Sequence, residues 1–365
     1  MTDQAHAGAA TPSVTKIYFE LTNSCNFVCD FCPIAGSTRP KQTLDFDLYT
    51  RAIDEIVLHG LTTTVGFHVL GEPLLAPRWA DAVRYAGSRG LRTELTTNGS
   101  LFDEKRVALL AQSGLDKLNI SVEAIDEEEH GSRGTKIPFR EYYGRVLGAV
   151  RDIRASGART EIEILLMNAW SKKFFDVDTT MRLNTDPRAY REKLVTFVAD
   201  LYETLGKQVP RAAVASSLRS VRSTRPLIVR VEKGLMVYVQ LFADWGNAFT
   251  TRKVYPAPFG CCNYALESVG VLASGEVTVC CVDFDGQTSL GNLRDRPLRE
   301  MLGSERARRI RDGFRAMKVV DPYCRRCLGG STRLRAFAKG LISVYLFKFL
   351  KFRPARVDEV EIRVP

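Results

Sequence analysis

Residues 21–33, LTNSCNFVCDFCP, place three cysteines in a C-x3-C-x2-C pattern at Cys25, Cys29 and Cys32, directly after an apolar run. Structural zinc requires a closed shell of four ligands, and this pattern supplies three. Three cysteines on a [4Fe–4S] cluster leave one iron without a protein ligand, so that iron can bind a substrate or a cofactor. The pattern therefore favours a cluster over the alternatives, which are a zinc site completed by a distant residue and three buried core cysteines.

The remaining cysteines lie far along the chain, in a second window. They are Cys261, Cys262, Cys280, Cys281, Cys324 and Cys327. The total of nine is odd, and the N-terminus, MTDQAHAGAATPSV, has neither the basic start nor the apolar core of a signal peptide. These features favour metal ligation in a reducing compartment over disulfide bonds. The sequence therefore predicts a cytoplasmic protein with two metal sites.

Composition sets broad limits on the function. The chain has 365 residues, 45% apolar and 26% charged, which are ordinary globular values that exclude wholesale disorder. A membrane-spanning helix needs about 20 apolar residues in a row, and the sequence has no such run. The net charge of +10 favours anionic ligands or surfaces without specifying one.

Strand-like and helix-like segments alternate from Val14 onwards. Apolar runs predict strands at 15–21, 63–70, 92–97, 117–122 and 160–167, and a sixth at 227–231 or 235–241. Apolar residues at i, i+3 and i+4 predict helices near 45–59, 76–89, 103–113, 140–156 and 187–206, with Asp45 and Asp103 as N-caps. Such repeats predict a parallel sheet with crossover helices. Six units are too few for a closed eight-stranded barrel, so ligands should collect at the strand ends of an open one.

The sequence pattern changes near residue 255, where short predicted strands, glycine turns and cysteines begin. Ser274-Gly275 predicts a hairpin turn, and a helix is predicted near 297–317. The predicted division is a tail at 1–13, a core at 14–254 with a basic helical stretch at 171–226, a Cys-rich domain at 255–335 and a basic, apolar tail at 336–365. The predicted fold class is α/β, a partial (β/α)6 TIM-like barrel with a small C-terminal Cys-rich α+β domain.

The first cysteine pattern and the segments after the next strands resemble the radical S-adenosylmethionine (SAM) enzymes. Leu70-Gly71-Glu72-Pro73 resembles the family's Gly-Gly-Glu-Pro motif, while residues 96–99 (TTNG) and 119–123 (NISVE) lie where the family contacts SAM. Arg133 resembles an arginine that pairs with the SAM carboxylate. Glu123 stands where relatives often carry Asp. The resemblance assigns SAM contacts to Phe31, Gly71, Glu72, Pro73, Asn98, Ser121, Glu123 and Arg133.

The family resemblance implies a specific chemistry. A cluster on Cys25, Cys29 and Cys32 would bind SAM at its open iron and cleave it reductively, giving a 5′-deoxyadenosyl radical that removes hydrogen from an unactivated C–H bond. The cofactor carries the difficult chemistry, and the protein positions the substrate and excludes water. A reducing protein such as flavodoxin or ferredoxin would supply the electron.

The second window resembles the auxiliary-cluster extension of the same enzymes. Cys262 is followed after twelve residues by Gly275, then after four by Cys280, and the pair Cys324 and Cys327 closes the set. The longer SPASM form carries further cysteines after this pair, and none follows Cys327 in this sequence. The segment therefore resembles the shorter twitch form, which binds one fully ligated [4Fe–4S] cluster. A zinc-ribbon-like site is the alternative. With the first site, the resemblance implies two [4Fe–4S] clusters.

Cys261 and Cys281 remain after these assignments. Each could be a buried apolar residue, or a thiol that gives a hydrogen atom to a substrate radical, which would make the enzyme an epimerase. Without such a donor the radical would lose a proton and an electron, which is dehydrogenation. We hypothesise that the enzyme acts on a carbinol of a sugar, aminocyclitol or nucleotide-linked sugar in antibiotic or glycan biosynthesis. Epimerisation is preferred over dehydrogenation, and Cys281 is the preferred hydrogen donor. Peptide modification is the further alternative.

Several other features can be interpreted either as functional or as purely structural. The apolar, basic tail at 339–356 could lie on an anionic membrane surface or pack on the barrel. Aromatic residues are sparse in the basic stretch at 171–226, so nucleic-acid binding is not expected. His68 is interpreted first as a core residue. Asp244, Trp245, Asp283 and Asp285 could bind a polyol or form turns.

Overall fold

The computed structural model describes residues 13–168, 186–219, 226–242, 245–248, 253–345, 348 and 357–362. Its strands form one sheet in the order β10-β9-β8-β1-β2-β3-β4-β5-β7-β6-β11. The strands are β1 Lys16–Phe19, β2 Thr64–Phe67, β3 Arg92–Thr97, β4 Lys117–Glu123, β5 Glu161–Asn168, β6 Leu227–Glu232, β7 Leu235–Leu241, β8 Ser268–Val271, β9 Glu276–Thr278, β10 Ser289–Asn292 and β11 Asp358–Glu361.

Helices connect the strands of the parallel region. They are α1 Phe46–His59, α2 Trp79–Ser88, α3 Glu104–Gln112, α4 Glu127–His130, α5 Phe139–Ala155, α6 Pro187–Thr204, α7 Arg211–Ser217, α8 Asn263–Glu267, α9 Leu298–Leu302, α10 Glu305–Arg315, α11 Pro322–Cys327 and α12 Arg333–Val344. The predicted N-caps are confirmed: the Asp45 carboxylate accepts from the first turn of α1, and Asp103 accepts from Arg106 N. The prediction of one helix near 297–317 is wrong. The segment forms two helices, because Gly303 ends α9 and the Ser304 side chain caps the start of α10.

Six strands of the barrel, β1 to β5 and β7, run parallel to one another. β1 to β5 pair in sequence order, and β7 pairs with β5 along Ile162–Asn168. Both candidates for the sixth strand are strands, since β6 and β7 form an antiparallel hairpin. In the described part of the chain the edge strands β10 and β11 do not pair with each other, so the barrel is open. This arrangement confirms the predicted partial barrel.

The two faces of the sheet differ in chemistry. Ile17 and Phe19 of β1 are fully buried in the apolar core beneath the helices, whereas the alternate residues Lys16 and Tyr18 face the concave side. On that side Lys16 forms an ion pair with Glu94 of β3. Lys117 Nζ and Glu163 Oε2 form another at 3.0 Å. The concave side thus carries ion pairs, whereas the face beneath the helices is apolar.

The cysteine-rich segment continues the same sheet. β8 pairs in parallel with β1, and β8 and β9 form the predicted hairpin. A small apolar cluster that includes Ile310, Phe314 and Cys324 lies beneath this segment. Of the predicted basic stretch at 171–226, residues 171–185 and 220–225 lie outside the described residues. Within the described part, no helix is both long enough and apolar enough to cross a bilayer.

Candidate functional site

The three-cysteine loop follows β1, at the carboxyl end of the parallel strands. Cys29 is buried, and Cys25 and Cys32 are partly buried. Burial is the main cause that raises the pKa of Cys29 to about 11 and that of Cys32 to about 12, and the charge of Cys29 also raises the pKa of Cys32. Thiols that affect one another in this way lie close together. A bound metal group would replace their protons.

The spacing of the thiols bears on which metal group fits. Among the residues that the structure describes, no three Cys, His, Asp or Glu side chains lie close enough to bind a single ion. Sulfur ligands at about 2.3 Å from one zinc ion lie within about 4 Å of each other. The cysteines of a [4Fe–4S] cluster each bind a different iron and stand further apart. Three thiols in one loop match the donor set of a [4Fe–4S] cluster that keeps one iron open.

Glu72 connects three loops around the cysteines. Its fully buried carboxylate accepts hydrogen bonds from Leu74 N at 3.1 Å, Thr97 Oγ1 at 2.7 Å and Asn98 N at 2.7 Å. The Glu72 N–H donates to the Ser24 carbonyl at 2.8 Å. Burial raises the pKa of Glu72, and these hydrogen bonds lower it. The side chain is thus fully engaged with the protein, and backbone groups are what this motif leaves for a ligand.

Gly71 lies against the backbone of the cysteine loop. Its φ is +83°, and a Cβ at this position would lie 2.3 Å from the Thr22 carbonyl oxygen and 2.8 Å from that of Ser24. Any side chain would push the two loops apart. Pro73 follows Glu72 and begins a short 3-10 helix at Pro73–Leu75, which fixes the end of the loop.

Asn98 joins the cysteine loop to the loop after β3. Its Nδ2 lies 3.0 Å from Asn26 Oδ1 and 3.8 Å from Cys25 Sγ. Its carbonyl accepts from the buried Tyr142 hydroxyl at 2.8 Å, and its Oδ1 accepts from Ser100 N at 2.9 Å. The sequence predicted Asn98 as a SAM contact, and the structure places it beside the first thiol.

Arg133 is a buried cation with unused hydrogen-bonding capacity. Its side chain is 2% exposed, and its Nη2 donates to the Ser121 carbonyl at 2.8 Å. The guanidinium carbon lies 5.1 Å from the Phe27 ring centroid and 5.5 Å from that of Phe31. Among the described residues its Nε has no hydrogen-bond partner. A buried cation with a free donor fits a bound carboxylate.

Ser121 and Glu123 end β4 on the concave side. Ser121 Oγ donates to Glu123 Oε1 at 2.6 Å, and Gln240 Nε2 lies 3.1 Å from both carboxylate oxygens. Glu123 has a φ of +63°, a strained backbone conformation for a residue other than glycine. Burial raises the pKa of Glu123, and Arg133 lowers it. Sequence reasoning missed Gln240, although its alternating position on β7 could have indicated it.

Four cysteines of the second window converge. Cys262 precedes α8, Cys280 follows β9, and Cys324 and Cys327 lie on α11. Burial raises the pKa of Cys280 well above its ordinary value, and the charges of Cys262, Cys281, Cys327 and Cys324 raise it further, so Cys281 lies near this site as well. The four converging cysteines are the residues that the resemblance assigned to one site, so the structure brings the complete set together.

Two polar side chains shape this second site. Asp321 Oδ1 accepts from Tyr323 N at 2.9 Å and from Cys324 N at 3.3 Å, which caps α11. Asn247 Nδ2 donates to the carbonyls of Arg326 at 2.8 Å and Cys327 at 3.0 Å. Sequence reasoning missed Asn247, because only the folded chain brings it to α11.

A close backbone approach completes the second site. A Cβ on Gly246, whose φ is +69°, would lie 2.8 Å from Cys327 Sγ. The tight turn at 245–248 therefore passes directly over a thiol that we assign to the second cluster.

Cys261 lies away from the concave side of the sheet. Its N–H donates to Ser343 Oγ of α12 at 3.0 Å, and its Sγ lies 3.9 Å from the Phe314 carbonyl of α10. The thiol is thus enclosed between two helices. This position does not bring Cys261 to the residues predicted to bind SAM.

Cys281 lies beside β1 and β8. Its Sγ accepts a hydrogen bond from Ser268 Oγ at 3.8 Å, and burial is the largest cause that raises its pKa to about 11. Burial raises the pKa of Tyr18, and the charge of Cys281 is the second cause, so the two groups are neighbours. Because Tyr18 faces the concave side, Cys281 is the better placed of the two candidate donors.

His68 lies beside Tyr18 on the concave side of the sheet. The two rings lie edge to face, with centroids 5.2 Å apart. Burial, and then the charge of Lys16, lowers the pKa of His68 to about 4, so the imidazole is neutral at physiological pH. The structure therefore places His68 at the concave surface rather than in the apolar core.

The acidic residues named as possible polyol ligands have other positions. Asp283 is fully buried in a turn, where its Oδ2 accepts from Thr288 N and Oγ1, both at 2.6 Å. Asp285 accepts from Ser37 Oγ at 3.1 Å. Trp245 begins the turn at 245–248, and Asp244 lies outside the described residues. Asp283 is therefore a turn residue in this structure.

Two family models match the chain. The model of the radical SAM superfamily matches residues 19–175, and SPASM, described as an iron-sulfur cluster-binding domain, matches residues 261–328. The first match contains the three-cysteine loop, and the second contains all six later cysteines. These matches confirm the resemblance found in the sequence, and together the two domains imply SAM and iron–sulfur clusters.

Curated relatives match over part of their length. The S-adenosyl-L-methionine-dependent 2-deoxy-scyllo-inosamine dehydrogenase of Niallia circulans is 29% identical over 148 residues, which cover 38% of this chain and 53% of that protein. The GTP 3′,8-cyclase of Chlorobaculum tepidum is 30% identical over 150 residues, which cover 40% of this chain and 43% of that protein. The chain thus spans about half the length of these relatives or less.

Solved structures share the fold at low identity. Native anSMEcpe with bound AdoMet aligns with a TM-score of 0.52 and 13% identity, covering 92% of this chain and 98% of that one. Streptococcus suis SuiB bound to S-adenosylmethionine aligns with a TM-score of 0.53 and 13% identity, covering 82% of this chain and 68% of that one. These likenesses confirm the mostly parallel partial barrel and the cysteine-rich C-terminal region.

Proposed function

We propose that this chain, which belongs to the radical SAM superfamily and carries a C-terminal SPASM domain, epimerises a carbinol centre of a sugar or aminocyclitol-like metabolite. The observation that carries the proposal is the contact of Cys281 Sγ with Ser268 Oγ at 3.8 Å, because Ser268 of β8 pairs with Lys16 of β1, which faces the same side of the sheet as Tyr18. The polar lining of that side supports a small polar substrate. The relative named for dehydrogenation of 2-deoxy-scyllo-inosamine supports the same substrate class.

The first site has the features needed to hold SAM and a cluster. Cys25, Cys29 and Cys32 would ligate three irons, and the buried Arg133 with its free Nε would bind the SAM carboxylate. When bound, this group supplies a carbon-centred radical that removes hydrogen from an unactivated C–H bond. Gly71 and Glu72 hold the loops in place around it, and the buried surroundings exclude water.

The second site is proposed to hold a fully ligated [4Fe–4S] cluster on Cys262, Cys280, Cys324 and Cys327, which gives two clusters per chain. Four thiolates leave no iron open to substrate, so this site suits electron transfer. A flavodoxin or ferredoxin is the proposed external reductant.

Cys281 has a defined part in the proposed epimerisation. After hydrogen abstraction, the Cys281 S–H bond breaks and its hydrogen atom forms a C–H bond on the opposite face of the substrate carbon. A sulfur-centred radical then remains on Cys281. One electron from the low-potential reductant and one proton from solvent restore the thiol, so that atoms and electrons balance.

Turnover in D2O tests this step, because a thiol exchanges its hydrogen with solvent. The wild-type protein should place one deuterium at the inverted carbon of candidate sugars or aminocyclitols. Cys281→Ala should form 5′-deoxyadenosine but no inverted product, whereas Cys261→Ala should behave as wild type because that thiol lies between α10 and α12. Normal inversion by Cys281→Ala would contradict the proposal.

Dehydrogenation to a ketone is the second candidate, favoured by His68. The neutral imidazole beside Tyr18 could accept the carbinol O–H proton of the substrate radical while an electron leaves to the second cluster. In this reaction the product is a ketone, no solvent deuterium enters, and Cys281→Ala remains active. His68→Gln should then slow product formation without reducing the amount of SAM bound.

A further inference from the structure

Helix α12 carries an unusual exposed apolar face. Of the ten large apolar side chains exposed in the described part of the chain, five lie within residues 334–345. They are Leu334 at 77% exposure, Tyr345 at 57%, Ile342 at 56%, and Phe337 and Leu341 at 51% each. Four of them, at positions 334, 337, 341 and 345, follow the spacing of one helical stripe. The Phe337 ring packs edge to face on Phe259, with centroids 5.2 Å apart, and the apolar stripe otherwise faces outward.

The opposite side of α12 attaches the helix to the protein through small residues. Ala336, Gly340 and Ser343 are the buried positions of the helix. A Cβ on Gly340 would lie 2.9 Å from the Phe259 carbonyl oxygen, so the helix packs closely at this point. Ser343 Oγ accepts from Cys261 N at 3.0 Å. The helix is thus held with its larger apolar side chains outward.

The charge around this helix has one sign. From residue 322 to residue 357 the sequence contains no Asp or Glu and nine basic residues. They are Arg325, Arg326, Arg333, Arg335, Lys339, Lys348, Lys351, Arg353 and Arg356. Arg333, Arg335 and Lys348 are exposed in the structure. An outward apolar stripe with basic neighbours is the pattern of helices that lie in the plane of an anionic membrane surface.

We propose that α12 is a membrane-docking helix, which binds an anionic lipid bilayer through Leu334, Phe337, Leu341 and Tyr345 while Arg333, Arg335 and Lys348 contact lipid phosphates. Tyr345 is suited to such a boundary, because its ring is apolar and its hydroxyl is polar. This proposal deepens the expectation for the tail at 339–356, whose residues 346, 347 and 349–356 lie outside the described ones. It does not depend on the reaction proposed above.

Charge distinguishes an anionic membrane from the other partners that could cover the apolar face of α12. A second copy of this chain would bring the same positive charge to the same face, and like charges oppose that contact. An anionic bilayer instead attracts the basic residues, with about a fivefold gain in binding for each one near the surface, or about 1 kcal/mol. The absence of acidic residues over 36 positions thus favours the bilayer.

Vesicle flotation with the full-length protein tests the proposal. The wild-type protein should bind vesicles of phosphatidylcholine mixed with phosphatidylglycerol, should bind phosphatidylcholine alone weakly, and should be released at high salt. Leu334→Gln with Leu341→Gln should reduce binding at least about tenfold, because the burial of each leucine contributes roughly 1.5–3 kcal/mol. Arg333→Ala with Arg335→Ala should reduce binding to the anionic vesicles by about 25-fold at low salt.

The matched control changes two other exposed apolar residues, Val57 and Leu58 on α1, to Gln. This variant should bind vesicles as the wild type does, and both apolar double variants should keep the wild-type melting temperature. Failure of the wild type to bind anionic vesicles, or unchanged binding by the Leu334 and Leu341 variant, would overturn the proposal. A dimer in sedimentation velocity that this variant dissociates, without vesicle binding, would overturn it in favour of self-association.

Discussion

The two cysteine sites of this chain are built by different physical means. The first has three thiols beside buried polar groups that converge from separate loops, among them Glu72, Asn98 and Arg133. The second has four thiols over a small apolar cluster, with α11 capped by Asp321. The difference supports the proposal that the first site binds an exchangeable polar ligand, whereas the second would hold a fully ligated cluster.

The largest expected effect comes from removing one thiol at each site. Cys29→Ala should abolish SAM cleavage and lower iron content by about half, because the remaining two thiols cannot hold the first cluster. Cys324→Ala should also remove about half of the iron but leave reductive cleavage of SAM measurable. Iron analysis and chromatography of 5′-deoxyadenosine measure both outcomes. If Cys324→Ala abolishes SAM cleavage, the two sites do not have the separate roles assigned here.

Glu72→Ala should have the next largest effect, on stability as well as on SAM binding. The substitution leaves Thr97 Oγ1 and the N–H groups of Leu74 and Asn98 without their buried acceptor. Each lost partner costs roughly 1–3 kcal/mol, so unfolding in urea should show a loss of about 3 kcal/mol or more. Glu72→Gln keeps the shape of the side chain and one acceptor oxygen, so this variant should lose less stability than Glu72→Ala. Equal stability of Glu72→Ala and the wild type would contradict the inference that the Glu72 carboxylate holds these loops together.

Arg133 and Arg311 are both buried arginines, and of the two only Arg133 lies beside the first cysteine site. Arg133→Lys keeps the charge but loses the planar fork, so SAM should bind about tenfold more weakly. Arg311 is 6% exposed and its Nη1 donates to the Leu302 carbonyl at 3.1 Å, so Arg311→Lys should leave SAM affinity unchanged. Titration of SAM into the anaerobic protein measures both. Equal effects of the two substitutions would indicate a general loss of stability.

Asp321→Ala should give the smallest effect, confined to the second site. Loss of the cap on α11 should cost about 1 kcal/mol of stability and loosen the Cys324 and Cys327 pair. SAM affinity should not change, whereas the second cluster should be lost faster on exposure to a chelator. Loss of SAM affinity in this variant would mean that the two sites are coupled.

The parallel core was largely predictable from the sequence, because its apolar periodicity is strong. The first five strands and four of the five helices among them lie close to their predicted positions, and capping residues such as Asp45 fixed two of the boundaries. β11 was not predicted, because Asp358–Glu361 is short and alternates acidic with apolar residues, and its partner β6 lies far away in sequence. Continuity across Gly303 was also predicted wrongly, because the apolar pattern resumes after the break.

The candidate site was predictable where a motif carries it. The cysteines, Gly71 and Glu72 stand in recognisable spacings, and the structure brings them together. Gln240 and Asn247 lie outside any motif and reach their partners only through the fold. The sequence also could not separate Cys261 from Cys281, since each adjoins a predicted ligand. Only the packing of α12 against Cys261 and of β1 beside Cys281 distinguishes them.

The central claim is that Cys25, Cys29 and Cys32 hold a cluster with one iron open to SAM. Electron paramagnetic resonance of the anaerobically reconstituted and reduced protein tests it most directly, in the Cys324→Ala background where the second cluster is absent. The account predicts a cluster signal that changes shape when SAM is added, and no such signal after Cys29→Ala in the same background. A signal that SAM leaves unchanged, or no signal at all, would contradict the claim.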